Sequence, residues 1–191
     1  LPRIGVIHDW LLGMRGGERC LEILADTYPE ADIFTLFYDP AKISPGINRH
    51  RVFESLLGRL PGVKGMHRYL LPLYPLAARE LGRQIAREPR KCPYDLIISI
   101  SHCAAKNVPV PVGGPHLCYC LTPVRYLWDK FDSYFQGRRV EPMIRALLPW
   151  LRHWDLGGSA QIDRFVGISE FVRERIQRIY GRGSEVVYPP V

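Results

Sequence analysis

Short apolar runs alternate with amphipathic helical patterns along most of this chain. Six of these runs have the composition of buried β-strands, and they cover residues 3–7, 31–37, 96–101, 116–120, 164–167 and 185–187. Apolar strands that alternate with helices are typical of a parallel sheet with helices packed on both faces. The pattern therefore predicts an α/β fold with a parallel sheet flanked by helices.

The helical patterns show apolar residues at positions three and four apart, as expected for helices that bury one face. They cover residues 18–28 and 142–159, and a third helix begins after the N-cap Ser169 and ends at Gly181. In this third helix Val172, Ile176 and Ile179 are predicted to face inward. Its basic positions are predicted to face solvent, and these are Arg173, Arg175 and Arg178.

Residues 52–90 depart from the alternating pattern because bulky apolar side chains are mixed with cations. Arg79, Arg83 and Arg87 recur at four-residue spacing and form a basic ridge on a predicted helix. Long cationic side chains beside exposed apolar groups suit the interface of an anionic bilayer, so this ridge is a candidate membrane contact. The alternative is a solvated helix whose other face packs on the core through Leu73, Ala77, Leu81 and Ile85.

Composition narrows the class of partner. The 191 residues are 47% hydrophobic and carry a formal net charge of +7, which indicates one globular domain with an anionic partner. The arginines are dispersed and no recognition motif accompanies them, so nucleic acid is not the expected partner. No apolar run reaches the roughly 20 residues of a membrane span, and no export signal is evident, so a cytoplasmic location is expected.

The cysteines fit reduced thiols buried in the core, and they are Cys20, Cys92, Cys103, Cys118 and Cys120. Two of them, Cys118 and Cys120, would share one face of a strand. No second pair of Cys or His residues stands at metal-ligand spacing, so we expect neither a metal nor another cofactor.

A glycine pair follows the first strand at the start of a helical pattern. Backbone N–H groups at a helix N-terminus have no partner within the helix, so Gly16 and Gly17 could bind a phosphate. The spacing matches neither the dinucleotide fingerprint nor a P-loop. A tight turn that needs glycine for its backbone geometry is the alternative interpretation.

A second candidate site follows two later strands. His102 comes after one strand, and Arg125, Tyr126 and Asp129 come after the next. Ligands of open parallel sheets bind at the carboxyl ends of the strands. A guanidinium can bind phosphate or carboxylate, aromatic rings can stack on sugars, and a carboxylate can accept hydroxyl hydrogen bonds, so the set suits a phosphorylated glycan. A local Arg125–Asp129 ion pair is the alternative.

Several motifs together resemble the N-terminal half of family 4 glycosyltransferases, and the similarity covers essentially the whole chain. It is closest to mannosyltransferases of O-antigen and capsule assembly. The motifs are His8-Asp9-Trp10-Leu11, Arg15-Gly16-Gly17-Glu18-Arg19, the run 32–40, Tyr94-Asp95-Leu96-Ile97-Ile98-Ser99 with Ser101-His102-Cys103, Thr122-Pro123 with Arg125-Tyr126 and Trp128-Asp129, and Val187-Tyr188-Pro189-Pro190-Val191.

The resemblance implies one half of a GT-B fold. Residues 1–187 would form a Rossmann-like acceptor-binding domain, and residues 188–191 would begin the linker to a C-terminal donor-binding domain that this chain lacks. It also implies metal-independent transfer with retention of configuration, of mannose from GDP-mannose, to a polysaccharide or polyprenyl-linked acceptor. By the same resemblance Gly16 and Gly17 would approach the donor diphosphate. The acceptor side would be lined by Asp9, His102, Arg125, Tyr126 and Asp129.

One position departs from the family pattern. Leu121 stands where the family usually has the histidine of a Cys-His-Thr-Pro motif, so no catalytic residue is assigned, and His102 and Asp129 are the candidates. Two hypotheses remain open. The chain is the acceptor domain of an active glycosyltransferase, or it is a non-catalytic module that binds phosphoglycans or membranes.

Overall fold

The computed structural model describes residues 2–87, 94–110 and 114–190. In these ranges seven strands form one sheet in the order β3-β2-β1-β4-β5-β6-β7, and every neighbouring pair is parallel. The strands are β1 (Ile4–His8), β2 (Asp32–Thr35), β3 (Val52–Glu54), β4 (Leu96–Ser101), β5 (His116–Cys120), β6 (Arg164–Gly167) and β7 (Ser184–Val186). The predicted α/β fold with a parallel sheet is confirmed.

Helices cover both faces of this sheet. They are α1 (Gly16–Thr27), α2 (Pro45–Asn48), α3 (Val63–Met66), α4 (Tyr74–Arg87), α5 (Arg125–Trp128), α6 (Phe131–Phe135), α7 (Glu141–Ala160) and α8 (Glu170–Tyr180). Short 3₁₀ helices lie at Pro40–Lys42, His67–Leu73 and Ala105–Asn107. The three amphipathic helices predicted from the sequence are α1, α7 and α8.

Alternate residues of each strand pack on opposite sides of the sheet. In β1, Val6 packs in the cluster beneath α1, whereas Ile7 packs in the larger cluster beneath α4 and α7. Both residues are fully buried, as expected for a strand at the centre of a two-sided sheet. Because β1, β4 and β5 are neighbours and run parallel, their carboxyl ends lie side by side at one edge of the sheet.

The strand predictions differ from the structure mainly in the second quarter of the chain. The strand predicted over residues 31–37 ends at Thr35, where Leu36 turns to donate its backbone N–H to the Asp9 carbonyl at 3.2 Å. Strand β3 was not predicted, because a three-residue edge strand carries too little pattern. Its Phe53 ring stacks on Phe34 with centroids 4.8 Å apart.

The last helix has the predicted ends but not the predicted outer face. Ser169 accepts the Val172 N–H at 3.3 Å, and Gly181 ends the helix in the left-handed region with a φ of 65°. Arg173 and Arg178 are exposed, but the prediction that Arg175 faces solvent was wrong. Arg175 is buried because it donates hydrogen bonds to Thr122 and to the Asp129 carboxylate.

Four of the five cysteines lie in the described residues, and all four are free thiols. Cys103, Cys118 and Cys120 are buried and Cys20 is partly buried, as predicted, while Cys92 lies outside the described residues. Cys118 and Cys120 pack against apolar side chains of β6 and α8. The hydrogen bond between these two thiols, together with burial, raises the pKa of Cys120 well above its usual range.

Residues 188–190 follow β7 as exposed chain without regular secondary structure. The assignment of residues 188–191 to a linker stays a prediction. In the described part of the chain, no helix combines the length and the apolar character needed to cross a bilayer.

Buried histidines make stability depend on pH. Burial lowers the pKa of His116 from 6.5 to about 4, with Nε2 held 2.9 Å from the Ser99 hydroxyl, and burial also lowers the pKa of His8. The unfolded chain binds these protons near pH 6.5, so we expect stability to be full above that pH and to fall toward pH 4. His116 alone should account for about 3 kcal/mol, measured by chemical denaturation at several pH values. His116→Gln should flatten this dependence, and an unchanged slope would contradict the assignment.

Candidate functional site

A cleft opens at the edge of the sheet where β1, β4 and β5 end. Its volume is about 180 Å³, and the sequence analysis had singled out five of its lining residues, namely Gly17, His102, Leu121, Arg125 and Tyr126. These residues come from α1 and from the segments after β4 and β5. The fold therefore brings the glycine turn and the second candidate site into one cleft.

Sequence reasoning missed the other half of the cleft wall. Those residues are Trp10, Arg15, Glu18, Arg68 and Tyr134. Trp10, Arg15 and Glu18 flank the predicted glycine turn, and their positions in the motifs could have indicated them. Arg68 and Tyr134 come from a 3₁₀ helix and from α6, and nothing in their local sequence connects them with the end of β1.

Gly17 lies at the N-terminus of α1, where its backbone N–H has no acceptor among the described residues. A Cβ at this position would lie 2.8 Å from Leu121 Cδ1 and 3.3 Å from His8 Nε2, so only glycine fits without displacement. Gly16 is exposed and has no described atom within 4 Å of such a Cβ. The close packing thus belongs to Gly17 alone, although both N–H groups remain available to an anion.

His8 lies behind this turn and was not a predicted site residue. Its Nδ1 is 3.1 Å from the Trp10 carbonyl, which can only accept, so Nδ1 carries the proton. Burial lowers the pKa of His8 and keeps the ring neutral. Nε2 is buried without a hydrogen-bond partner in the described residues.

Asp9 lies beneath the cleft wall and is fully buried. Its Oδ2 accepts the backbone N–H groups of His102 and Cys103 at 2.6 and 2.9 Å. Its Oδ1 accepts those of Ala104 and Ala105 at 2.5 and 2.6 Å. Since both oxygens are engaged with the protein, this placement does not support the predicted contact of Asp9 with an acceptor; the carboxylate instead fixes the segment after β4.

Burial by itself raises the pKa of Asp9, but the electrostatic interaction with His102 and the hydrogen bond from its backbone N–H outweigh this effect. The pKa of Asp9 is lowered to about 2, and the group is ionised at neutral pH. The Nδ1 atom of His102 lies 2.9 Å from Asp9 Oδ2. The His102 ring meets the Trp10 ring edge-on at 4.5 Å, and its side chain is 23% exposed in the cleft.

Arg125 and Asp129 do not form the local ion pair considered above. Asp129 pairs with Arg175 and, at 3.4 Å, with Arg178, both on α8. Arg125 is exposed, lines the cleft and has no carboxylate partner in the described ranges. The structure therefore brings Arg125 into the site and leaves Asp129, like Gly16, outside its wall; the proposed substrate contacts of Asp129 and Gly16 stay predictions.

The cleft is strongly cationic. Arg15, Arg68 and Arg125 line it, and the one acidic residue in its wall, Glu18, accepts the Arg15 backbone N–H at 3.0 Å. A second cavity of about 180 Å³ shares Trp10, Arg15, Glu18 and Arg68 and adds Lys42 and Lys64. Lys42 pairs with Asp39 at 2.8 Å and Lys64 with Glu54 at 3.5 Å. The three cleft guanidiniums are thus the cations placed to bind an incoming anion.

The basic ridge of α4 is solvent-exposed. Arg79, Arg83 and Arg87 are exposed, whereas Ala77, Leu81 and Ile85 on the opposite face are buried as predicted. Leu73, predicted to pack on the core, is 41% exposed because the 3₁₀ helix ends there and turns it outward.

Structural comparison identifies the fold. The chain is similar to HepE of Anabaena in complex with UDP, with a TM-score of 0.55 and 17% identity over 99% of this chain and 44% of HepE. It is also similar to a variant of Os79 from O. sativa in complex with UDP, with a TM-score of 0.57 and 12% identity over 98% of this chain and 51% of Os79. The fold is that of a GT-B glycosyltransferase domain.

A sucrose-phosphate synthase structure from Thermosynechococcus elongatus matches this GT-B domain with a TM-score of 0.50 and 13% identity, over 99% of this chain and 89% of that one. The GT-B domain spans about half the length of HepE and Os79. No protein family and no curated protein matches the sequence.

The two glycines allow a matched test of the cleft wall. Gly17→Ala places a methyl group against Leu121 and should cost about 1–2 kcal/mol of unfolding free energy. Gly16→Ala meets open space and should be neutral or slightly stabilising, because alanine favours the helix. Chemical denaturation of both variants measures the difference. Equal effects would contradict the close packing of Gly17 on Leu121.

Proposed function

We propose that this chain is the acceptor-side domain of a glycosyltransferase, which transfers a sugar from a nucleotide sugar to a glycan or polyprenyl-linked acceptor. A C-terminal domain in the full-length protein would supply most of the donor site. The observation that carries the proposal is the cationic cleft at the carboxyl ends of β1, β4 and β5 in a GT-B domain, with the free N–H groups of α1 at its wall.

The donor proposal rests on the chemistry of a departing diphosphate. Negative charge develops on the leaving oxygen during transfer, and backbone N–H groups and guanidiniums stabilise such charge when they are already in place. Gly16 and Gly17 offer the N–H groups, and Arg15 and Arg125 offer guanidiniums. The sequence resemblance favours GDP-mannose, whereas the HepE and Os79 structures contain UDP. The nucleotide base and the sugar of the donor are therefore the first features to identify.

The acceptor proposal rests on the aromatic part of the cleft. Trp10 and Tyr134 line it and offer flat surfaces on which a sugar ring can stack. Tyr126, which was predicted for this purpose, lines the cleft but is largely buried. Trp128 packs in the protein and donates its indole N–H to Asp155 at 2.8 Å.

Leu121 lines the same cleft and can neither donate a hydrogen bond nor carry a proton. The sequence resemblance implies transfer with retention, in which the leaving phosphate can take the proton of the attacking hydroxyl. Under that mechanism the leucine is compatible with activity, and we propose a metal-independent, retaining transfer.

Sugar transfer by the full-length protein tests the function. The assay uses a panel of UDP-sugars and GDP-sugars, a polyprenyl-diphosphate glycan as acceptor, and both the native protein and Leu121→His. Transfer by the native protein supports the glycosyltransferase and identifies the donor. Transfer only after the substitution, or by neither protein, favours the alternative hypothesis of a non-catalytic module that binds phosphoglycans.

The three cleft arginines should contribute to substrate binding. Arg15→Gln, Arg68→Gln and Arg125→Gln should each lower kcat/KM about 10- to 100-fold, because each removes a charge-assisted hydrogen bond to an anion. Arg49→Gln removes the same charge from a surface pair with Asp26 and should leave kcat/KM within about two-fold. Equal effects at all four positions would indicate that only the net charge matters.

We also propose that α4 contacts the anionic membrane that carries the acceptor, at the cytoplasmic face. Arg79, Arg83 and Arg87 lie on its exposed side. Leu76, 62% exposed, lies on the same helix, and Leu56, 60% exposed, is close to it because its N–H donates to Glu80 at 3.0 Å. Exposed leucines among arginines suit the boundary between headgroups and acyl chains.

Vesicle sedimentation tests this contact. Changing Arg79, Arg83 and Arg87 together to Ser should weaken binding to anionic vesicles by about ten-fold or more, since each basic residue near an anionic surface contributes about 1 kcal/mol. A protein with Arg49, Arg164 and Arg173 changed to Ser loses the same charge elsewhere and should bind as the wild type does. Unchanged binding of the α4 variant would contradict the proposal.

A further inference from the structure

The Asp9 carboxylate accepts a hydrogen bond from the backbone of His102 and lies beside its ring. It accepts the His102 backbone N–H at 2.6 Å, and His102 Nδ1 lies 2.9 Å from the same oxygen. We propose that Asp9 is a positioning residue that turns the Nε2 lone pair of His102 toward the cleft, where it accepts a hydrogen bond from the attacking acceptor hydroxyl. This inference rests on the proposed glycosyltransferase function and assigns a role in it to Nε2 of His102.

The carboxylate is rigid, which is why it can position a ring. Four backbone N–H groups, from His102 to Ala105, hold its two oxygens in place, and the side chain is fully buried. An ionised carboxylate can only accept hydrogen bonds. A neutral ring beside it therefore carries its proton on Nδ1 and its lone pair on Nε2.

Aromatic contacts limit the rotation of the His102 ring. Trp10 meets it edge-on at 4.5 Å with an interplanar angle of 88°, and Trp10 in turn packs on His67 and Tyr74 with centroids at 5.0 and 6.5 Å. His102 is thus held between a carboxylate on one side and an aromatic wall on another, and its partly exposed edge lies in the cleft.

Few side chains of the cleft can accept a hydrogen bond, and besides His102 they are Glu18 and the hydroxyls of Tyr126, which is largely buried, and Tyr134. The guanidiniums of Arg15, Arg68 and Arg125 can only donate, and Leu121 does neither. The Glu18 carboxylate is largely buried and already accepts the Arg15 N–H. Before the transfer the acceptor hydroxyl donates a hydrogen bond to Nε2 of His102, and its proton passes to the leaving phosphate oxygen only as the glycosidic bond forms.

The transfer step leaves no additional proton on His102. The acceptor oxygen forms a bond to the anomeric carbon as the bond between that carbon and the phosphate oxygen breaks. The electron pair of the broken bond leaves with the nucleoside diphosphate, which also takes the hydroxyl proton. His102 orients the hydroxyl before the transfer through direct contact with the acceptor, whereas Asp9 acts through His102.

Kinetics of the full-length protein test the role of His102. His102→Leu should lower kcat/KM about 10- to 100-fold, the effect of losing a hydrogen bond to a reacting group. His102→Gln, whose amide oxygen can accept the same hydrogen bond, should recover a large part of that loss. His153→Gln on the exposed side of α7 is the matched control and should retain wild-type kinetics.

Chemical denaturation of each variant separates positioning from a merely structural effect. His102→Leu should keep the wild-type stability while it loses kcat/KM, and a loss of kcat/KM that only follows a loss of stability would overturn the proposal.

NMR gives a measurement that does not depend on turnover. In full-length protein labelled with ¹⁵N-histidine and assigned through His102→Gln, the ring should be protonated on Nδ1 at neutral pH, and Asp9→Asn should disturb this tautomer. Protonation on Nε2 would overturn the proposal. If the wild type transfers sugar and His102→Leu is equally active, the role of His102 is wrong but the proposed function stands. A wild type without any transfer would overturn both.

Discussion

The hydrogen bonds of the Asp9 carboxylate hold the site together. This group lies directly after β1, and the N–H groups it accepts lie directly after β4, so it joins the exits of two adjacent strands. A hydrogen bond to a charged group contributes about 1.5–3 kcal/mol, and a buried donor left unpaired costs a comparable amount. The glycine turn and the segment of His102 therefore keep a fixed separation across the cleft.

Buried polar groups also fix the remaining walls. Lys106 follows the Asp9-bound segment and donates to the Asp155 carboxylate of α7 at 2.6 Å, with both residues almost fully buried. Asp155 in turn accepts the indole N–H of Trp128 at 2.8 Å, which ties α5, whose first residue is Arg125, to α7. Breaking such a buried pair is strongly destabilising, because it leaves an uncompensated charge. The position of Arg125 thus depends on charges far from the cleft surface.

The sequence carries enough information to predict the sheet and part of the site. Apolar runs predicted six of the seven strands, and Gly17, His102 and Arg125 could be predicted because each follows a strand whose carboxyl end must lie at the same edge. Arg68 reaches the cleft through tertiary packing of an irregular segment, which leaves no periodic signal. The inward orientation of Arg175 depends on Asp129, 46 residues away, and no helical spacing could indicate it.

The proposed function rests on this geometry more than on any single motif. A cationic cleft lies at the carboxyl edge of the sheet in this GT-B fold, and the free N–H of Gly17 lies in its wall. A crystal structure of the full-length protein with its nucleotide sugar tests this account most directly. The account predicts the donor diphosphate within hydrogen-bond distance of the Gly17 N–H and of a cleft guanidinium. A diphosphate bound elsewhere, with Gly17 facing bulk solvent, would contradict it.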